Sequence, residues 1–412
     1  MTQAATMSGI ALMGHGGLNM LQWRDDLPVP QIGSNDVLLR VLAAGVNNTD
    51  INTRTGWYSK SVTGATSSDN VTTDTSDGTW DGNALTFPHI QGADCCGKII
   101  AVGANVDPAR IGERVIVRTM QNWTDESGTT TVITLGSERQ GAFAQYMAAR
   151  AIDAVAVNTH WSDIALASIP CATTTAEGMV QRAALGAENV LITGASGGVG
   201  SAAIQLAKRR GATVWAVTKA DKAADLRALG ADHTIDRDAA FPENHFDVVI
   251  DLVAGSRFGD LLDALKPRGR YVASGAIAGP IVTLDVRTLY LKDLSLLGST
   301  AQPDHIIHDV VGYIERGEIK PLIAKTYPLR EIQAAQAAFM QKSYIGKIVL
   351  TLDAPELQSP FPSRTLPSKH TPTRGHLCQN ALNQKAVNCW DGCAMHSPKA
   401  AKARPGSTAS SS

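Results

Sequence analysis

Cysteine, aromatic residues and net charge are all scarce in this sequence, and each scarcity excludes a class of protein. The 412 residues include 6 cysteines, 5% aromatic residues and a net charge of −1 at pH 7. Half of the cysteines follow residue 377, and their spacing there fits no zinc motif. This distribution is also unlike a disulfide framework, so we expect reduced thiols. The balanced charge gives no indication of a nucleic-acid partner or of a charged membrane surface as a target.

Long apolar runs are also missing. None approaches the length that spans a bilayer, and residues 1–7 lack the basic region and apolar core of a secretory leader. We therefore expect a cytoplasmic protein that does not enter membranes. The chain length and the 44% hydrophobic content are sufficient for two domains with substantial cores.

A glycine-rich turn between an apolar strand and an amphipathic helix is the most informative feature that is present. Gly194 permits a tight turn out of the strand, and Gly200 lets the helix pack close to the sheet. Between them, glycines let backbone N–H groups approach a pyrophosphate at the helix N-terminus. The pattern is typical of the first half of a dinucleotide-binding βαβ unit. The predicted phosphate-binding residues are Gly194, Ser196, Gly197, Gly198, Val199 and Gly200.

Strand and helix patterns alternate after about residue 155, which predicts a parallel sheet covered by helices on both faces. The predicted strands are 190–193, 213–217, 233–235, 247–251, 270–273 and 294–298. The predicted helices between them are 199–209, 221–229 and 257–266. A helix at about 304–316 and a strand at 346–352 follow.

The part of the chain before residue 155 is rich in strand patterns, of which 37–42 is the clearest and Gly141–Tyr146 is another. Residues 59–86 are polar and lack apolar periodicity, which predicts a long loop. This polar loop forms either a rim over a substrate cleft or an insertion without a catalytic role. A second polar stretch covers about 119–139. Residues 354–412 are rich in Pro, Ser, Thr, Lys and Arg, which predicts a disordered tail.

Seven stretches in a fixed order suggest a family. They are Ala44–Ile51, Gln91–Ile99, Val102–Val106, Ile111–Val115, Gly141–Tyr146, the glycine turn and Gly346–Leu350. With them, residues 8–352 resemble the medium-chain dehydrogenase/reductase superfamily, and most of all its zinc-free quinone oxidoreductases and enoyl reductases. The resemblance implies an α/β fold: a Rossmann doubly wound parallel sheet that binds NADP (158–302) and a GroES-like β-rich catalytic domain (8–157 and 303–353).

The zinc alcohol dehydrogenases of this superfamily bind their catalytic zinc through two cysteines and a histidine. The matching positions here are Asn47, Ala93 and Cys171. An amide and a methyl group cannot replace a thiolate and an imidazole, so we predict no metal. An unusual ligand set of Asp50, Asp94 and Cys171 is the remaining alternative. The segment that matches the family's structural-zinc loop contains no cysteine.

The choice between NAD and NADP depends on the end of the second strand of the unit. NAD-preferring folds usually have an acid there, whereas this chain has Thr218 followed by Lys219 and Lys222. Lysines attract a 2′-phosphate, so we predict NADPH as the cofactor. The resemblance implies that Arg237 adds charge at the phosphate or adenine. The alternative is that these basic groups form a solvated surface.

Residues near the reacting groups are inferred from the resemblance. Tyr58 matches the proton-donating tyrosine of enoyl thioester reductases, although it is equally able to serve as a wall of the pocket. Asn47 resembles an active-site amide of quinone reductases that bonds substrate or nicotinamide, and Thr175 matches a residue that lies against the nicotinamide. The predicted cofactor-binding set is completed by Val253 and Gly275.

The sequence therefore predicts an NADPH-dependent, zinc-independent reductase of quinones or α,β-unsaturated carbonyls. The alternatives are a zinc alcohol dehydrogenase of the same superfamily and a redox-inactive nucleotide-binding protein of the crystallin kind. Leu289–Gly298 is predicted to form the edge strand of the cofactor sheet. By resemblance, two such edges pair across a two-fold axis and give a homodimer.

Overall fold

The computed structural model describes residues 6–66, 76–125 and 127–352. The predicted tail (354–412) and the middle of the polar loop (67–75) lie outside the described residues. The strands are β1 (Thr6–Leu12), β2 (Leu21–Pro28), β3 (Asp36–Val46), β4 (Cys96–Val102), β5 (Arg114–Val117), β6 (Met120–Thr124), β7 (Thr130–Thr134), β8 (Tyr146–Arg150), β9 (Ala154–Ala156), β10 (Asn189–Ile192), β11 (Thr213–Thr218), β12 (His233–Asp236), β13 (Phe246–Asp251), β14 (Leu265–Ala273), β15 (Ser295–Gly298), β16 (Ile323–Pro328) and β17 (Lys347–Thr351). The helices are α1 (Asn48–Thr55), α2 (Asp163–Leu166), α3 (Pro170–Arg182), α4 (Gly198–Arg209), α5 (Ala223–Leu229), α6 (Phe258–Ala264), α7 (Val286–Leu291), α8 (His305–Glu315) and α9 (Ile332–Gln341).

Strands β10 to β15 form the parallel sheet, in the order β12-β11-β10-β13-β14-β15. The strand order reverses between β10 and β13, and the loops after the carboxyl ends of these two strands therefore open a crevice. Five of the six residues of β13 are buried, as expected for a strand whose sheet is covered on both faces. The prediction of a Rossmann doubly wound sheet is confirmed.

The mixed sheet has the order β16-β17-β3-β4-β5-β9, with β8 also paired to β3. Strand β3 is its centre and pairs antiparallel with β4, β8 and β17. Ile348 of β17 lies opposite Val46, the last residue of β3. This register brings Lys347 beside the start of α1, although the two lie at opposite ends of the sequence. The predicted β-rich GroES-like part is thereby confirmed.

One hydrophobic core cluster joins the two sheets. It contains Ile116 and Val349 from the mixed sheet and Ile192 and Val214 from the parallel sheet, all of them buried. Burial of apolar side chains from both sheets in one cluster fixes the crevice between them.

Two of the strand predictions are wrong, the first over nearly its whole length and the second at its start. The predicted strand Gly141–Tyr146 is not one, because β8 begins at Tyr146. Its first residues bond the irregular segment before β4 instead: Gly141 N donates to Ile90 O at 2.6 Å. The predicted edge strand Leu289–Gly298 begins only at Ser295, because the residues before it belong largely to α7.

The second polar stretch, 119–139, contains the hairpin of β6 and β7 rather than only a loop. No helix in the described part of the chain is long and apolar enough to cross a bilayer. The cytoplasmic location stays a prediction.

Candidate active site

The glycine turn joins the end of β10 to the start of α4 at the crevice. Gly194 has a left-handed backbone with φ of +57°, and a Cβ at Gly200 would lie 2.4 Å from the Gly194 carbonyl oxygen. A side chain at either position would therefore strain the turn. Gly197 is the N-cap residue of α4, and no side chain caps the helix. The N–H groups of the first turn can thus donate hydrogen bonds to the pyrophosphate of a dinucleotide.

Gly198 has an additional role that the sequence did not indicate. A Cβ there would lie 2.7 Å from Cδ of Lys347, so the glycine makes room for the lysine side chain. One residue earlier, Gly346 N donates to Ser196 O at 3.1 Å. The start of β17 therefore lies directly on the glycine turn.

A buried ion pair lies beside this turn. Lys347 Nζ is 2.8 Å from Oδ2 of Asp94, and the two side chains are 6% and 0% exposed. The same ammonium donates to Oδ1 of Asn47 and, at 3.1 Å, to the carbonyl oxygen of Val46. Asn47 Nδ2 donates to Asp94 Oδ2 at 2.8 Å. Three acceptors satisfy the three N–H groups of the ammonium, which compensates its burial. We call Asp94, Lys347 and Asn47 the Asp94 cluster.

Two carboxylates of this region accept hydrogen bonds from protein donors on both of their oxygens. The second oxygen of Asp94 accepts a bond from Cys171 N at 2.6 Å. Asp50 accepts bonds from Asn47 N at 2.7 Å and from Ala93 N at 3.2 Å. Burial raises the pKa of Asp50 to about 7. Neither carboxylate is free to serve in the alternative metal-ligand set.

The residues at the zinc-ligand positions do not fit a catalytic zinc ion. The Asn47 amide is engaged at both ends within the Asp94 cluster, and Ala93 offers no donor. Burial, with the charge of Asp94 as a second cause, raises the pKa of the Cys171 thiol and disfavours the thiolate that zinc requires. Among the described residues, no group of three or more His, Cys, Asp or Glu side chains could hold a metal.

Tyr58, the predicted proton donor, lies just beyond α1. Its hydroxyl donates to Oγ1 of Thr49 at 3.0 Å. Its ring packs edge-on against Trp57 and Trp80, with centroid distances of 5.8 and 4.6 Å. Burial raises the pKa of Tyr58, so its hydroxyl is a weaker acid in this environment than on an exposed tyrosine. Thr49 belongs to the first turn of α1, whose N-cap is Asn47, so its bond to Tyr58 brings this hydroxyl close to the Asp94 cluster.

The described part of the polar loop borders Tyr58 and also contacts the loop after β14. Trp80 of the polar loop packs on Tyr58, and Thr66 N donates to Ile277 O at 3.0 Å. The polar loop therefore lies at the edge of the crevice, where the rim interpretation requires it.

The predicted 2′-phosphate residues follow the end of β11. Thr218 is its last residue, and Lys219 is exposed. Lys222 Nζ donates to the carbonyl oxygens of Lys342 and Tyr344, at 2.7 and 3.1 Å. Lys222 therefore already has a structural contact that the sequence did not indicate.

The other predicted cofactor residues are distributed around the crevice. Val253 and Gly275 follow the carboxyl ends of β13 and β14. Thr175 lies in α3, four residues after Cys171 and therefore on the same face of the helix. Arg237 is 58% exposed and lies near enough to Lys222 for their charges to repel.

Sequence reasoning missed Lys347 and the pairing role of Asp94. A lysine that starts an otherwise apolar strand, Gly346–Leu350, was the available signal, because such a charge is buried only with a partner. Its partner could not be chosen from the sequence.

Comparison with known proteins agrees with this geometry. Residues 33–159 match the family model of the alcohol dehydrogenase GroES-like domain, and residues 229–350 match that of the zinc-binding dehydrogenases. Together with the sheet order and the glycine turn, these matches show that the chain belongs to the medium-chain dehydrogenase/reductase superfamily of nicotinamide-dependent oxidoreductases.

Individual relatives cover nearly the whole described chain. A crystal structure of a candidate alcohol dehydrogenase from Sinorhizobium meliloti 1021 is 42% identical and has a TM-score of 0.76, covering 85% of this chain and 98% of that one. Acryloyl-coenzyme A reductase of Metallosphaera sedula is 27% identical over 84% of this chain and 100% of its own length. The NADPH-dependent alkenal/one oxidoreductase of Arabidopsis thaliana is 27% identical over 82% of this chain and 77% of its own.

Proposed function

We propose that this protein is an NADPH-dependent, zinc-independent reductase of α,β-unsaturated carbonyl compounds or quinones. The observation that supports it most is the Asp94 cluster. One of the positions where zinc alcohol dehydrogenases hold their metal is Asn47, and its amide is bonded to the ammonium of Lys347 and the carboxylate of Asp94, which also pair with each other. A reaction that needs no metal-bound alkoxide suits such a site. The names of two relatives, an acryloyl-coenzyme A reductase and an alkenal/one oxidoreductase, are in keeping with this substrate class.

The residues supply binding and proton transfer. When bound, the reduced nicotinamide supplies a hydride to an electron-poor carbon conjugated to a carbonyl. The substrate then needs a proton, and Tyr58 is the side chain suited to give it. Its hydroxyl is protonated at neutral pH, and its bond to Thr49 fixes its orientation. Asn47 holds Lys347 and Asp94 in position, because its Oδ1 accepts a bond from the ammonium and its Nδ2 donates to the carboxylate.

The preference for NADPH is supported by the end of β11. Thr218 presents no carboxylate to repel a 2′-phosphate, and Lys219 is exposed beside it. The negative charge of Asp221 and the positive charges of Lys219 and Arg237 all act on Lys222, so cations outnumber carboxylates there by three to one. Such a group attracts a phosphate of charge near −2.

A homodimer is supported by the edge of the parallel sheet. Strand β15 is an edge strand, and an apolar surface lies on and before it. Its exposed members are Ile281, Val282, Val286, Tyr290, Leu291 and Leu296. A second copy of the chain would cover this surface and pair the free edge.

Turnover of the purified full-length chain tests the proposal. We expect oxidation of NADPH, faster than of NADH, with enones, enals, an acryloyl thioester or quinones, and no stoichiometric zinc on elemental analysis. Tyr58→Phe should lower kcat with enones by roughly 100-fold because the proton donor is lost. The matched control Tyr327→Phe, in β16, should leave kcat unchanged.

Other outcomes of this experiment would overturn the proposal in distinct ways. Alcohol oxidation with one zinc ion per subunit would show a zinc alcohol dehydrogenase. Nucleotide binding without turnover on any member of the panel would show a nucleotide-binding protein that is not a reductase.

A further inference from the structure

Two tryptophan side chains pack against the proposed proton donor. The ring of Tyr58 lies edge-on to Trp57 at 5.8 Å and to Trp80 at 4.6 Å, measured between ring centroids. Trp57 is the neighbour of Tyr58 in sequence, whereas Trp80 belongs to the second described part of the polar loop. Both indoles are only partly buried. Part of this aromatic surface therefore remains accessible beside Tyr58.

Trp80 is held in place by backbone hydrogen bonds that do not involve its ring. Its N–H donates to Oγ of Ser137 at 3.4 Å, and Asp81 N donates to Oε1 of Glu138 at 3.2 Å. Ser137 and Glu138 lie just after β7, and Oε2 of Glu138 also accepts a bond from Thr134 N at 2.8 Å. A variant that lacks the indole would retain these bonds, so the ring can be removed without releasing the polar loop.

The other described part of the polar loop reaches the crevice. Trp57 Nε1 donates to the carbonyl oxygen of Gly64 at 2.9 Å, and two residues later Thr66 N donates to Ile277 O at 3.0 Å. Ile277 lies in the loop that follows the carboxyl end of β14, at the crevice. A substrate that reaches the Tyr58 hydroxyl from the crevice therefore passes these aromatic rings.

The charges around these rings are mostly negative. In the described part of the polar loop, Asp77 and Asp81 outnumber the one cation, Lys60. Glu138 adds a third carboxylate, which is bonded to Asp81 N. The guanidinium of Arg139, the next residue, lies over an aromatic ring of β6 instead, 5.6 Å from its centroid. A substrate with several phosphate groups, such as a coenzyme A thioester, would be repelled here.

We propose that Trp80 is a specificity-determining residue that selects flat, uncharged conjugated carbonyl compounds with an aromatic substituent. The aromatic ring of such a substrate contacts the indole, and this contact stabilises the complex through buried apolar area and favourable edge-on or offset ring geometry. Because the contact forms beside Tyr58, it also places the conjugated carbonyl near the proton donor. The inference rests on the reductase activity of the proposed function and narrows its substrates, because it disfavours the acryloyl thioester.

A matched pair of enones isolates this contact. In ethylideneacetone a methyl group replaces the phenyl group of benzylideneacetone, and the enone is otherwise the same. We expect Trp80→Ala to lower kcat/KM for benzylideneacetone by roughly tenfold or more, and for ethylideneacetone by no more than about threefold. Trp80→Phe should retain most of the activity with both, since an aromatic face remains. Trp123→Ala, which changes an exposed tryptophan of β6, is the matched control and should behave like wild type.

Two further measurements complete the test. Trp80→Leu keeps apolar packing on Tyr58 without an aromatic face, so it should show the same selective loss even if Trp80→Ala lowers the thermal transition. The wild-type chain should reduce benzylideneacetone with a kcat/KM at least roughly tenfold above that for crotonyl-coenzyme A, because the latter carries phosphate charges.

The kinetics can contradict the inference in three ways. An equal loss with both enones would show that Trp80 only supports Tyr58, and unchanged kinetics with both would show that the indole does not contact the substrate. A preference of the wild-type chain for crotonyl-coenzyme A would show that the acidic surroundings do not select against phosphates. Each of these results would overturn the inference while the proposed function stands. Absence of turnover with every enone, enal, thioester and quinone would instead contradict the proposed function.

Discussion

Asp94 and Asp251 are both fully buried carboxylates, one in each half of the molecule, and they are compensated in different ways. Asp251 ends β13 and accepts bonds from the hydroxyls of Thr193 and Tyr271 and from backbone N–H groups just beyond the strand. All of these donors are neutral and lie in, or just after, neighbouring strands of one sheet. Asp94 instead depends on the ammonium of Lys347, which the last strand of the described chain brings to it.

The difference shows that the parallel sheet and the mixed sheet contribute to the crevice in different ways. The Asp251 bonds join the ends of adjacent parallel strands, so they organise the crevice from within one sheet. The Asp94 cluster joins β3, β17 and the region before β4, and its lysine also lies on the glycine turn. The candidate catalytic region is therefore completed only when the end of the chain returns to the mixed sheet.

Removal of the cation should give the largest effect. Lys347→Met leaves the buried carboxylate of Asp94 with neutral hydrogen-bond donors but no cation, and we expect the free energy of unfolding to fall by about 3–5 kcal/mol. The double variant Lys347→Met/Asp94→Asn should recover part of this loss, because no unpaired charge remains. Urea denaturation of the four proteins of this cycle gives the coupling energy. A loss below about 1 kcal/mol for the single variant would show that Asp94 does not depend on the cation.

The mixed-sheet half should show a dependence of stability on pH that comes from Asp50. Asp50 has its pKa raised to about 7 by burial, so the folded state keeps a proton that the unfolded state releases near the ordinary aspartate pKa of 3.8. The free energy of unfolding therefore falls as pH rises from about 4 to 7, by roughly 1 kcal/mol per pH unit, and this contribution is constant above pH 7. Asp50→Asn cannot titrate, so the wild type minus variant difference should show this slope. Equal slopes for the two proteins would contradict the pKa assigned to Asp50.

Loss of a single neutral donor should give the smallest effect. Tyr271→Phe removes one hydrogen bond to Asp251 but leaves the hydroxyl of Thr193 and the backbone donors in place. We expect a loss of about 2 kcal/mol in the free energy of unfolding, measured by urea denaturation. The affinity for ADP-ribose should stay within about twofold of wild type. A loss as large as that of Lys347→Met would remove the distinction between the two carboxylates.

Local patterns were enough to predict the parallel sheet and the glycine turn. The strands of that sheet are short apolar runs. Its main turn is specified by glycines at positions where a side chain would be strained or would clash with the backbone. Helix α3 was not predicted, because its buried residues are mostly small or polar and give little hydrophobic periodicity. The Asp94 cluster was not predicted as a unit, because it depends on the register of β17 against β3, which no local pattern encodes.

The close approach of Lys347 to Gly198 has a consequence for the divergence of related chains. A methyl group at residue 198 and a lysine stem at residue 347 cannot occupy the same space, since their carbon atoms would be 2.7 Å apart. A lineage that acquired alanine at 198 would have to shorten or redirect the residue at 347, and would then lose the partner of Asp94. The two positions are thus expected to change together during evolution, even though one lies in helix α4 and the other in strand β17 of the mixed sheet.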